Sequence, residues 1–324
     1  MFLFRNKLAV ICILFFFSAC KKETISLSYT ELNTGVDTRI RSIYFQNETT
    51  GFVCGGEKIQ SGIILKTSDG GINWQQVYSS SLAIRDITFV TDSLGFACGD
   101  SLLILKTTDG GNSWNKMNLP YTPVNVVPFT SIQFRDAQHG NVCGGENWEK
   151  GITMRTTDAG SWWENECFYN TEVSESYFVN DTVGYIAANG AVYKATADVH
   201  INNLLSLSGD FFTSVYFTSP DEGFVCGYDG GIYKTSNAGA TWKQVRKDNT
   251  AFTARTHFNK IRFSGTEKGF AVGSNGAVFY SSDSGESWKQ SDNFPDENIL
   301  SVFILNTTTA FASGDGGKLY RISF

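Results

Sequence analysis

One phrase of five residues comes round seven times in this chain, and it constrains the fold more than any other feature. It reads Gly51-Phe52-Val53-Cys54-Gly55, Gly95-Phe96-Ala97-Cys98-Gly99, Gly140-Asn141-Val142-Cys143-Gly144 and Gly184-Tyr185-Ile186-Ala187-Ala188. It returns as Gly223-Phe224-Val225-Cys226-Gly227, Gly269-Phe270-Ala271-Val272-Gly273 and Ala310-Phe311-Ala312-Ser313-Gly314. The mean period of about 43 residues is that of a four-stranded propeller blade. A closed repeat array can use 324 residues as one unit. The expected fold class is therefore all-β: a seven-bladed β-propeller of four-stranded blades, its ring closed by the N-terminal strand.

Each repeat opens on a segment with period-two apolar spacing, such as Arg41-Ser42-Ile43-Tyr44-Phe45 or Arg85-Asp86-Ile87-Thr88-Phe89, the signal of a strand. The Gly-aromatic phrase follows as a second strand and Ile63-Ile64-Leu65-Lys66-Thr67 as a third. A hairpin then leads to a fourth strand opened by tryptophan. That hairpin is a second motif, Thr67-Ser68-Asp69-Gly70-Gly71-Ile72-Asn73-Trp74 in its first copy. Its key pairs are Asp69 and Trp74, Asp109 and Trp114, Asp158 and Trp163, Asn237 and Trp242, and Asp283 and Trp288. The motif resembles the Asp-box, or BNR-type, hairpin. Its chemistry is local: Asp accepts from backbone N–H groups of its own turn, Gly takes positive φ, and Trp buries a large ring. These residues are read as structural turns, not as five acidic sites.

Repeat 4 lacks the hairpin signal, and repeat 7 ends after three strands. Residues 25–32 alternate and are expected to supply the missing strand. Closure of this kind removes exposed sheet edges.

The first twenty residues are read as targeting sequence, outside the fold. Arg5 and Lys7 precede an apolar run, and Phe17-Ser18-Ala19-Cys20 resembles the lipobox of bacterial lipoproteins. The resemblance implies a signal peptide over 1–19, lipidation at Cys20, a tether over 20–24 and a propeller over 25–324. The expected location is the bacterial cell envelope, lipid-anchored at the outer membrane, with the leaflet open. Cys54, Cys98, Cys143 and Cys226 share one repeat column with Ala187, Val272 and Ser313, which asks for a small buried side chain.

The two motifs together cover nearly all of residues 40–324. Their combination resembles the photosystem II stability/assembly-factor propeller family. That resemblance implies a non-enzymatic scaffold that holds a membrane-protein partner. It does not carry the photosystem itself, because nothing in the sequence indicates a photosynthetic host.

No catalytic residues, metal ligands or cofactor are expected. The three histidines occupy unrelated repeat positions, and Arg41 and Arg85 find no third arginine in their column to complete a sialidase-like clamp. A net charge of −6 argues against a nucleic-acid partner. The expected binding face is the channel mouth, ringed by Arg41, Arg85, Asp86, Glu175, Asn259 and Lys260. Two long loops, 56–61 and 145–150, are expected on the same face. The second carries Trp148, and aromatics with Arg are favoured interface anchors. The leading function is an assembly-factor-like scaffold for a protein partner at the membrane. A glycan-binding, lectin-like lipoprotein and an Asp-box glycoside hydrolase are the alternatives.

Overall fold

In a computed structural model of the chain, residues 23–119, 126–180, 182–196, 204–247 and 256–324 are described. The segment read as a signal peptide, and Cys20, lie outside them. The described residues form strands and turns without helices.

Seven inner strands stand around a central channel: Ile40–Phe45, Ile84–Phe89, Phe129–Phe134, Val173–Phe178, the second half of Leu204–Phe217, Phe258–Ser264 and Ile299–Ile304. Each neighbours the next, and the last neighbours the first, so the ring is closed. From each inner strand the chain meanders outward in antiparallel steps. The outer strand beside Lys318–Ser323 is Ser28–Asn33, paired antiparallel from Ser28↔Ser323 to Asn33↔Lys318. Ahead of it, Thr24–Ile25 lies parallel to Lys289–Ser291.

The repeats are seven, but the hydrogen-bonded sheets are six, which corrects the expectation of seven separate four-stranded blades. Repeats 4 and 5 share one six-stranded sheet. Two of its strands, Val183–Thr196 and Leu204–Phe217, each run for 14 residues. They bend at Gly190 (φ 79°) and Gly209 (φ 129°) and do not break into loops. Pairing therefore continues from repeat 4 into repeat 5, with Asn189 opposite Phe211.

The repeated phrase has a packing cause. A Cβ on Gly51 would lie 2.5 Å from the ring of Phe45, and the same clash recurs from Gly95 to Phe89 and from Gly223 to Phe217. The phenylalanine that ends the inner strand lies over this glycine and stacks on the aromatic of the preceding repeat. Phe134 sits 3.6 Å from Phe96, Phe45 3.9 Å from Phe311 and Phe263 4.1 Å from Phe224. Repeat 7 tests the rule: Ala310 replaces glycine there, and its cross-strand partner is Ile304 in place of Phe. In the five repeats that carry the hairpin, its tryptophan closes the unit edge-on. Trp114 stands at 82° to Phe89, Trp288 at 88° to Phe263 and Trp163 at 88° to Phe134. Cys54, Cys98, Cys143 and Cys226 are free and buried, and burial pushes the Cys143 thiol up to about 12. They serve as small apolar fillers.

Candidate functional site

Every inner strand carries a β-bulge at its second residue. Ile40 faces Gly55 and Ser42 faces Cys54, which leaves Arg41 unpaired. The same slip falls at Arg85, Thr130, Ser174, Thr213, Asn259 and Leu300. The bulge brings backbone against backbone, so a Cβ on Gly55 would meet the Arg39 carbonyl at 1.8 Å. Bulges re-aim side chains, and here all seven bulged residues line one cavity of about 330 Å³ at the channel mouth.

One side of the mouth is basic. Arg85 Nε donates to Asp100 at 2.6 Å, and the second oxygen of buried Asp100 accepts the Ile59 N–H at 2.9 Å. Arg41 Nε donates to the Gly56 carbonyl at 3.0 Å. Among the described residues Arg41 has no carboxylate within ion-pair range. Burial, with Arg85 and Arg39 nearby, lowers its pKa to about 10. Arg39, on the outer rim, pairs with Asp315 at 3.1 Å.

The other side is aromatic. Phe211 and Tyr228 line the same cavity as Arg41 and Arg85. Trp148 leans on both, with centroids 4.6 Å from Phe211 and 6.2 Å from Tyr228. Tyr228 in turn lies 4.6 Å from His257. Trp148 reaches them across repeat 4. Its N–H donates to Glu172 at 2.8 Å, and its carbonyl accepts from Asn189. The two long loops also meet each other, through an ion pair between Lys58 and Glu146.

Two expected mouth residues are elsewhere. Asp86 and Glu175 are buried inside the channel, one position below the bulge. Glu175 belongs to the column of Asp86, not to that of Arg41, because Ser174 is the bulged residue. Both carboxylates join three inner strands. Asp86 accepts from Ser42 (2.7 Å), the Ile87 N–H (3.0 Å) and the Ile132 N–H (3.0 Å). Glu175 accepts from Arg262 (2.6 Å), Lys260 (2.7 Å), Ser214 (2.5 Å) and the Val215 N–H (2.9 Å). Burial would raise the Glu175 carboxyl, but Arg262 and Lys260 overrule it and hold it down at about 2. Lys260 lines both the mouth and the inner channel cavity of about 180 Å³, and so forms the floor between them. Asn259 sits in the bulge ring and donates to the Ile299 carbonyl at 2.7 Å.

The hairpins occupy the opposite face. In the first, Thr67 Oγ1 donates to Asp69 at 2.8 Å, Asp69 accepts the Asn73 N–H at 2.9 Å, and Trp74 Nε1 donates to the Gly71 carbonyl at 3.0 Å. The Asn73 N–H and side chain, with Thr67, hold the Asp69 carboxyl at about 2. Asp109, Asp158 and Asp283 repeat the arrangement, and Asn237 does so as an amide. These acids spend their lone pairs within their own turns. Among the described residues no group of three or more His, Cys, Asp or Glu side chains is placed to hold a metal.

Sequence reading missed Phe211, Tyr228 and Glu172. The signal was present: Tyr228 and Trp148 fall in the same loop of different repeats, and Phe211 falls two residues before a bulge.

Fold and site together define an all-β propeller with repeated hairpins on one face and an unrepeated basic and aromatic mouth on the other. The chain belongs to the family of the photosystem II assembly factor YCF48, whose family model matches residues 77–203 and 205–292. A solved structure of YCF48 bound to a D1 peptide aligns with a TM-score of 0.73 at 17% identity, over 94% of this chain and 100% of that one. YCF48 from Cyanidioschyzon merolae aligns at 0.70 and 13% identity, over 91% and 99%. The WD40 propeller domain of Doa1 aligns at 0.69 and 14%, over 93% and 96%. At these identities the likeness is one of fold. No curated protein matches the chain.

Proposed function

We propose that this protein is a non-enzymatic scaffold, lipid-anchored at the bacterial cell envelope, whose channel mouth holds a segment of a protein partner. The observation that carries this reading is Arg41, a half-buried guanidinium without a carboxylate partner at the mouth. Desolvated, uncompensated Arg recognises carboxylates by charge-assisted hydrogen bonds. A partner carboxylate would complete the site. The solved YCF48 complex holds a D1 peptide, and a protein segment is the ligand class that this reading takes from it.

Two features weigh against hydrolysis. The two channel carboxylates, Asp86 and Glu175, each accept hydrogen bonds at both oxygens from the inner strands. Glu175 is also held at about 2, the reverse of what a general acid needs. Lipidation at Cys20 would leave four residues before Thr24, a reach of about 14 Å, so the propeller would ride close to the bilayer.

The test is an in-cell crosslinking pull-down of the full chain beside Arg41→Glu and Cys20→Ser variants. A discrete membrane-protein partner that Arg41→Glu loses with its fold intact supports the reading. Equal recovery by Arg41→Glu, or binding to a sugar array in place of any protein, overturns it.

A further inference from the structure

We infer that the aromatic side of the mouth is a second subsite, built from Trp148, Phe211 and Tyr228, which grips an apolar or aromatic side chain of the same extended peptide whose acidic group meets Arg41. This deepens the mouth reading and rests on it.

Three independent observations place the subsite. The first is backbone strain around exposed apolar groups. Trp148 is 53% exposed at φ 64°, and Asn147 before it sits at φ 60°. Positive φ is costly for residues other than glycine and persists only where the surroundings enforce it. Here Glu172 and Asn189 hold the turn from repeat 4 through the Trp148 N–H and carbonyl. The matching loop of repeat 1 is built the same way, with exposed Ile59 at φ 50° and its N–H held by Asp100 at 2.9 Å, so both loops present an apolar side chain at this position and repeat 3 presents the larger ring.

The second is the direction of the ring. Trp148 does not fold onto its own repeat; it crosses repeat 4 to rest on Phe211 and Tyr228 of repeat 5. The three rings make a wall that is open to solvent yet continuous with the cavity. Rigid aromatic groups lose little rotamer freedom on binding and supply large contact area.

The third is charge complementarity across the cavity. Arg41 and Arg85 line the same 330 Å³ space as Phe211 and Tyr228. An acidic group on the basic side directs a neighbouring apolar side chain of an extended segment onto the wall. Lys260 bars the way downward through its ion pair with Glu175 at 2.7 Å, so the segment lies across the mouth and does not thread the channel. The occupant is therefore an extended peptide that carries an acidic group beside an apolar or aromatic side chain.

The experiment uses the full chain in detergent micelles and four fluorescein-labelled octapeptides. Two carry a Glu-Glu pair with either Trp or Ala three residues away. Two carry Gln-Gln in its place, again with Trp or Ala. Anisotropy gives the dissociation constants. The acidic Trp probe is expected to bind about tenfold tighter than the acidic Ala probe, the size of one good aromatic pairing. Trp148→Ala is expected to bring the two acidic probes within about twofold while leaving acid-dependent binding in place, and Trp148→Phe to restore part of the preference. Arg41→Glu is expected to abolish binding of both acidic probes. If the wild-type chain binds both acidic probes equally, the aromatic subsite is overturned and the mouth reading stands. If Trp148→Ala and Tyr228→Ala both keep the full Trp preference, the subsite is overturned as placed. If no acidic probe binds at all, the mouth reading fails and takes the subsite with it.

Discussion

The two faces of this propeller are built from the same strands and differ in almost everything else. On the hairpin face, one turn is copied five times, each Asp or Asn accepting from its own Ser or Thr and its own backbone. On the mouth face the loops vary in length and in what they carry: repeat 1 projects 56–61, repeat 3 the matching 145–150 with Trp148 where repeat 1 has Ile59, and repeat 4 only a short turn at Gly190. The hairpin face keeps its polar atoms for itself. The mouth face leaves Arg41 without a carboxylate and Trp148 in water. Repetition marks what the ring needs in order to stand, and its loss marks where the chain was free to acquire a ligand.

The largest effect should come from the channel beneath the mouth. Glu175→Gln leaves the cations of Lys260 and Arg262 buried without their counter-charge, and removing one partner of such a pair costs about 3–5 kcal/mol. Denaturant unfolding should move by that much. A loss below about 1 kcal/mol would show that the Glu175 carboxylate is dispensable to the ring. Gly95→Ala should come next, at about 1–3 kcal/mol from overpacking against Phe89. The same change made in a Phe89→Ile background should cost far less, because Ala310 already stands opposite Ile304.

Much of the ring was legible in the sequence for the reason this double substitution probes. The packing of Phe on Gly repeats with the period of the blade, so it writes itself into the chain six times. What escaped was register. A bulge is invisible in one strand read alone, and Ser174-Glu175 aligned by its charge puts Glu175 with Arg41, where pairing puts it with Asp86. The merging of repeats 4 and 5 escaped as well, because a bend at Gly190 or Gly209 leaves no loop to read. The aromatic wall is the hardest case. Its three rings come from two repeats and two kinds of position, and only the crossing of the Trp148 loop over repeat 4 brings them together.

Acid should separate the two faces in solution. Burial raises Asp210, directly before Phe211, to about 6, and one of its oxygens has no partner. In the unfolded chain it titrates near 4, so the folded state takes up the proton first and stability rises as pH falls from about 6 to about 4. The hairpin acids run the other way. Asp69 sits at about 2 in the fold, so its contribution is present above about pH 4 and lost as pH falls toward 2. Melting temperature should therefore peak between about pH 4 and 5. Asp210→Asn should flatten the limb above the peak and leave the acid limb in place; an unchanged upper limb in that variant would remove Asp210 from the account.

The smallest stability effect should be at the exposed ring of the aromatic subsite. Trp148→Ala removes an exposed ring from a strained turn and should shift unfolding by no more than about 0.5 kcal/mol. A loss of 2 kcal/mol or more would make Trp148 a packing residue of the rim and not a contact residue.

The contrast between the faces is tested most directly by placing one photocrosslinking side chain on each in the full chain, in cells: at Trp148 on the mouth, and at Ile72, which is 71% exposed on the hairpin face. The account predicts a discrete protein adduct from position 148 that Arg41→Glu abolishes, and none from position 72. A specific adduct from position 72, with position 148 silent, would contradict it and move the partner to the repeated face.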